Sequence, residues 1–187
     1  MRVLFMGPPG AGKGTQAALL AQRFGIVHIS TGDIFRSNVS QGTPLGVKAQ
    51  SFMDKGEYVP DDVTNDMVRD RLSWPDAESG FILDGYPRTV AQVLELDSML
   101  ADVGVELDAV IELTADTDEL VDRLSKRAQE QGRTDDTPAV IRRRLEVYAE
   151  STAPLIDLFA ERGILTPVDG LGAVDEVTAR LVNALAN

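Results

Sequence analysis

Five short apolar runs, each followed by a stretch of helical periodicity, restrict this chain more than any other feature of its sequence. The runs are Val3–Met6, Ile26–Ile29, Phe81–Leu83, Asp108–Leu113 and Ile164–Val168. All have the length of a buried strand. Helices are predicted over 13–24, 32–41, 44–55, 61–72, 89–103, 117–130 and 174–185, with a long helix from Pro138 that Pro154 kinks. Strands that alternate with helices pair through crossovers, which makes the sheet parallel and covers both of its faces. The expected fold is therefore α/β, a five-stranded parallel sheet flanked by helices on both sides. One interval breaks the rhythm: three helices and no strand separate the second and third runs. Residues 30–59 are thus the natural place for an inserted substrate-binding unit.

Length and composition narrow the function. A chain of 187 residues makes one compact domain with small insertions. With no cysteine, disulfides, thiolate nucleophiles and Cys-ligated zinc are excluded. The single histidine, His28, rules out multi-His metal sites and reads as a strand residue without a catalytic role. A net charge of −12 disfavours non-specific binding to nucleic acid or anionic membrane. No apolar run approaches the roughly 18 residues of a membrane helix, and the N-terminal one is too short for a secretory signal, so a cytoplasmic location is expected. The basic residues are unevenly chosen: 14 are Arg and four are Lys, with six of the arginines between Arg123 and Arg144. Because a guanidinium offers a planar fork matched to phosphate oxygens, a local Arg cluster in an acidic protein points to a small anionic ligand in a pocket.

The sharpest motif joins the first run to the first helix: Gly7-Pro-Pro-Gly-Ala-Gly-Lys13-Gly-Thr15. Its spacing would arise by chance about 0.03 times in a chain of this composition. Glycines let backbone N–H groups approach phosphate oxygens, and the helix N-terminus adds partial positive charge. Lys13 would reach the outer phosphates. The general motif has Ser or Thr directly after the lysine; here Gly14 stands there and Thr15 follows, which displaces the usual magnesium-ligating hydroxyl by one residue.

That displaced form resembles the nucleoside monophosphate kinase branch of the P-loop proteins, and the adenylate kinase family in particular. Further segments agree in the family's order. They are Ser30-Thr31-Gly32-Asp33 with Arg36, Gly56 to Asp61, Asp84-Gly85-Tyr86-Pro87-Arg88 with Gln92, and Gly132-Arg133-Thr134-Asp135-Asp136 followed by Arg144 and Tyr148. The resemblance implies a core of 1–29, 60–123 and 137–187, a nucleoside-monophosphate-binding insertion of 30–59 and a short lid of 124–136. It also implies roles. Gly10, Ala11, Gly12, Lys13, Gly14 and Thr15 would hold the ATP phosphates, with Arg123 and Gly172 at the adenine. Thr31, Arg36, Glu57, Tyr58, Val59, Gly85, Tyr86, Pro87, Arg88 and Gln92 would hold AMP. Lys13, Arg88, Arg127, Arg133 and Arg144 would surround the transferred group, while Asp135 and Asp136 fix the lid arginines. Asp84 would orient water on Mg²⁺. The short lid and absent cysteines imply no structural zinc, and a monomer is expected.

The residues considered alone fit this chemistry. A nucleotide phosphate is already ionised at pH 7, so its attack on ATP requires no general base. In-line positioning and charge neutralisation suffice. Arg123 and Arg127 are four apart on one helix face, as are Arg88 and Gln92. Of Arg142, Arg143 and Arg144, only one or two can point inward, and the resemblance implies that Arg144 is the one that does. Asp135 and Asp136 could instead cap the helix at Pro138, and Asp84 could merely cap a turn. The expected reaction is ATP + AMP ⇌ 2 ADP. The alternatives are a UMP or CMP kinase, in which Ala tends to replace Thr31, and a P-loop sensor that binds without transferring.

Overall fold

A computed structural model describes residues 1–133 and 136–186. Its strands are β1 (Arg2–Met6), β2 (Val27–Ser30), β3 (Phe81–Asp84), β4 (Ala109–Thr114) and β5 (Leu165–Asp169). They form one parallel sheet in the order β2-β3-β1-β4-β5. Side chains of successive strand residues point to opposite faces, and the core divides accordingly. Leu4, Met6, Leu83 and Val110 join α4 (Asp61–Leu72), α5 (Val90–Asp102) and α8 (Pro154–Glu161) on one face. Val3, Phe5, Ile82, Ile111 and Leu113 join α1 (Lys13–Phe24), α6 (Thr117–Gln131) and α9 (Val174–Leu185) on the other.

The strand order places a topological switch beside β1. The chain leaves β1 for β2 on one side, and leaves β3 for β4 on the other. Sheets of this kind bind ligands in the crevice outside the carboxyl ends at such a point. In register, Asp84 lies opposite both Phe5 and Ser30, so the ends of β1, β2 and β3 are level. Everything that follows each strand therefore begins at one edge.

Between β2 and α4 lie α2 (Thr31–Gln41) and α3 (Pro44–Met53), a packed pair with an apolar cluster of Phe35, Ala49 and Val59. Ser30 caps α2 by accepting from the Asp33 N–H, and Thr43 caps α3 by accepting from the Gly46 N–H. The two helices approach so closely that a Cβ on Gly46 would overlap the Asn38 carbonyl. These are the two extra helices foreseen ahead of α4.

One element departs from expectation. The long helix predicted from Pro138 is two helices, α7 (Pro138–Val147) and α8, joined by a π-helical turn over Tyr148–Thr152. Pro154 has no N–H to continue the ladder, and its ring crowds the carbonyl one turn back. The chain widens ahead of it, and the Ala153 N–H donates to the Tyr148 carbonyl at 2.9 Å, five residues back. What a kink would have absorbed as a bend is taken up as an inserted residue.

Candidate functional site

The glycine loop leaves β1 and enters α1, whose N-cap is Gly12 at φ 93. Only a residue without Cβ adopts that conformation readily. The loop wraps back on its own lysine: Lys13 Nζ donates to the carbonyls of Gly7 at 2.8 Å and Pro8 at 3.0 Å. Burial lowers its pKa to about 8, partly offset by the Asp84 charge and reinforced by Arg88, Arg144 and Arg127. Lys13 is therefore within electrostatic reach of three arginines from three different elements. A Cβ on Gly14 would lie 3.6 Å from Asp84 Oδ2, so the position after the lysine looks onto the acid at the end of β3. Thr15 is exposed beside it.

Beside the loop a cleft opens to solvent, lined on that side by Gly7, Pro9 and Lys13. Lys13, Arg36, Arg88 and Arg144 all line it, with Thr31, Gly85 and Gln92. Thr31 is buried, and its hydroxyl donates to the Asp84 carbonyl at 3.4 Å. Gly85, at φ 84, passes so near that a Cβ would lie 2.7 Å from Thr31 Oγ1. Arg36 pairs with Asp33 one turn before it on α2. Burial alone would raise the Asp33 carboxyl, but Arg36, with Arg133 beyond it, holds it below its ordinary value.

Arg88 is fixed from several directions. Its Nε donates to the Gly85 carbonyl at 2.7 Å, its N–H to Gln92 Oε1 at 2.7 Å, and its guanidinium lies 4.8 Å over the Tyr58 ring. Among the described residues its two Nη atoms have no hydrogen-bond acceptor, which leaves them to the cleft. Gln92 in turn donates through Nε2 to Asp61 Oδ1 at 2.8 Å. The amide orientation is thus set at both ends by groups that can act in only one sense, an N–H and a carboxylate.

The lid arginines separate into two arrangements. Asp136, with a fully buried side chain, accepts two bonds from Arg127 (Nε 2.8 Å, Nη2 2.9 Å) and one from Arg144 Nη1 at 2.5 Å. That single carboxylate draws α6 and α7 together and aligns two guanidinium planes. Arg133 donates through Nε to Gln131 Oε1 at 2.8 Å. Asp135, expected alongside Asp136, lies outside the described residues. Within the run of three arginines, Arg144 turns inward and Arg142 outward, while Arg143 pairs with Glu57 at 2.7 Å. That bond holds the Glu57 carboxyl below its usual range and raises Arg143.

At the far end of the sheet edge, Arg123 donates to the Gly170 carbonyl from both Nη atoms at 3.3 Å and pairs with Glu119. Gly172 stands at φ 106, a conformation that residues with a side chain rarely adopt. Arg123, Lys13 and Arg88 thus lie along one edge, as their positions after β4, β1 and β3 require.

Three contributors were not singled out by sequence reading. Asp61 reads as a dipole-favouring residue at the start of α4, and it also braces Thr89 (3.1 Å) and Gln92. Thr152 sits in the π-helical turn, with its hydroxyl on the Arg88 carbonyl at 2.9 Å. Met53, at the end of α3, lines the cleft with an apolar side chain. Pro154 was the available signal for Thr152, but a proline announces a break in a helix and not which residue the break turns inward.

No grouping of three or more acidic or histidine side chains able to cage a metal occurs among the described residues. The donors that are present, one buried carboxylate at Asp84 and one hydroxyl at Thr15, suit Mg²⁺. That ion keeps several waters and takes the rest of its shell from substrate phosphates. No helix of the described residues is long and apolar enough to cross a membrane.

A lysine and three arginines, from α1, α2, the loop after β3 and α7, all line one crevice, and the charge they suit is a chain of phosphates. The class defined by this fold and site is the P-loop phosphotransferases. A model of the adenylate kinase family matches residues 5–164. The chain is 63% identical to an adenylate kinase of Nocardioides sp. over 185 residues, 99% of this chain and 97% of that protein. It is 62% identical to one of Kocuria rhizophila, covering 98% of each. With one of Thermobifida fusca the identity is 56%, over 99% of this chain and 98% of that one. The chain belongs to the adenylate kinase family and is a nucleoside monophosphate kinase.

Proposed function

We propose that the protein transfers the γ-phosphoryl group of ATP to AMP, reversibly and with Mg²⁺, to give two ADP. The observation that carries this reading is the convergence of Lys13, Arg36, Arg88 and Arg144, from four separate elements, on one cleft. A binding protein for a single nucleotide has no need of a second basic cradle on the far side of its glycine loop.

In this reading the backbone of 10–15 and Lys13 hold the donor phosphates, and Arg123 and Gly172 flank the donor adenine. Arg36 and the Nη atoms of Arg88 hold the acceptor phosphate, while Thr31, Gln92 and the backbone of 57–59 hold the acceptor nucleoside. The acceptor oxygen needs no deprotonation, since its second pKa is near 6. The chain's work is to hold it in line with the γ-phosphorus and to spread cationic charge over the equatorial oxygens. Arg127 and Arg144, aligned by Asp136, supply that charge, joined by Arg133 when 124–136 closes. Asp84 and Thr15 would hold Mg²⁺, Asp84 through water, and the ion would neutralise donor phosphate charge. Segments 30–59 and 124–136 act as the moving parts, excluding water that would otherwise hydrolyse ATP.

Initial rates with AMP, CMP, UMP and GMP offered separately, at saturating ATP and Mg²⁺, test the acceptor. Turnover with AMP far above the other three is expected. A pyrimidine nucleotide as the best acceptor would overturn the assignment of Thr31 and Gln92 to adenosine.

A further inference from the structure

The Arg88 carbonyl, the Thr152 hydroxyl and the Tyr58 hydroxyl form a chain of contacts whose direction is fixed by counting protons. Thr152 Oγ1 lies 2.9 Å from the Arg88 carbonyl and 2.6 Å from Tyr58 Oη. A carbonyl can only accept, and a threonine hydroxyl has one hydrogen to give. Thr152 spends it on Arg88, so Tyr58 must donate to Thr152. Thr152 is 4% exposed, so neither bond is readily replaced by water. The same Tyr58 places its ring 4.8 Å under the Arg88 guanidinium. One side chain thereby touches Arg88 twice: directly at the charged fork, and through Thr152 at the backbone.

These contacts join three parts of the fold. Tyr58 belongs to the stretch that returns from α3 to the core, Arg88 to the loop after β3, and Thr152 to the π-helical turn between α7 and α8. The turn has a consequence here, since it is what presents Thr152 to Arg88. We propose that Tyr58 and Thr152 are positioning residues: their ordered hydroxyl relay sets the backbone and fork of Arg88 when the 30–59 segment is seated, coupling that seating to capture of the acceptor phosphate. This inference rests on the reading of Arg88 as an acceptor-phosphate ligand. It assigns the coupling to two hydroxyl-bearing side chains of the cleft wall, Tyr58 and Thr152.

The test compares Thr152→Val, Thr152→Ser, Tyr58→Phe and the Tyr58→Phe/Thr152→Val pair with the unaltered protein, measuring kcat, both KM values and the thermal midpoint. Tyr58→Phe keeps the ring and removes only the donor. The relay predicts that Thr152→Val lowers kcat/KM for AMP about tenfold, the scale of coupling between groups in one network, and leaves KM for ATP unchanged. Thr152→Ser recovers most of that loss, Tyr58→Phe loses less than Thr152→Val, and the double variant is no worse than Thr152→Val alone. A purely structural Thr152 would shift both KM values together and lower the midpoint in proportion. That pattern overturns the proposal, as would Thr152→Ser failing to recover, or a double variant whose losses multiply. If the unaltered protein turns over AMP and Thr152→Val matches it, the relay alone is wrong. If the unaltered protein does not use AMP, the acceptor reading falls first.

Discussion

Lys13 holds its charge against its surroundings. Burial brings its pKa from 10.5 down to about 8, which means the folded state binds that proton less tightly than the unfolded chain does. Between pH 8 and 10.5 the unfolded chain carries the extra proton, so this group's contribution to stability rises with pH across that window. Below pH 8 the folded state bears the full cost of a buried cation. Lys13→Met is therefore expected to raise the thermal midpoint of the empty protein at pH 7 while abolishing turnover. A lowered midpoint would show that the two loop carbonyls more than offset the burial. The charged form is the one that meets phosphate, so kcat/KM for ATP should fall about tenfold per unit above pH 8. Asp136 presents the opposite case, a buried anion shared by two guanidinium groups. Asp136→Asn removes the charge that holds both arginines, and a misplacement of about 1 Å costs about 10² in rate. Steady-state kinetics should show that loss in kcat more than in either KM. Lys13 was legible because the spacing of its loop is improbable by chance, and Arg88 because the segment 84–88 resembles the family's. Asp61 and Thr152 were not, because a lone polar side chain acquires its role only from what the fold sets beside it.

Among the elements, the strands and most helices followed from periodicity, since burial on both faces forces continuous apolar runs and burial on one face forces a 3.6-residue repeat. The helix after Pro138 shows where periodicity stops being informative. A proline states that the ladder must break, but a kink, a gap and a π-helical turn all satisfy it, and the choice depends on tertiary partners such as the Arg88 carbonyl waiting for Thr152. The α2–α3 pair carries a different constraint, a contact too close for any Cβ at Gly46. Gly46→Ala must separate the helices, at about 1–3 kcal/mol for an overpacked contact. It should raise KM for AMP, because Arg36 and Met53 are carried on those helices, and leave KM for ATP in place. Chemical denaturation together with two-substrate kinetics would check both halves. Equal effects on both nucleotides would mean that the pair is not an independent acceptor-side unit.

At the scale of the whole molecule, the sheet brings every strand's carboxyl end to one edge, where segments 30–59 and 124–136 are proposed to close over the nucleotides. Glu57 of the first segment pairs with Arg143 on α7, and Arg133 adds, after Arg36, to the lowering of the Asp33 pKa. A bisubstrate mimic spanning both sites should slow hydrogen exchange in 30–59 and in the described part of 124–136 together, with little change in β1, β3 and β4. Unchanged exchange in either segment would remove it from the closing machinery.

The central claim is transfer between two nucleotides with water excluded, and its most direct test is stoichiometry. Phosphorus NMR of the protein with ATP, Mg²⁺ and AMP should show two ADP formed for each AMP consumed, with no inorganic phosphate released. ADP and inorganic phosphate appearing in equal amounts, with AMP untouched, would identify an ATP hydrolase and contradict the account.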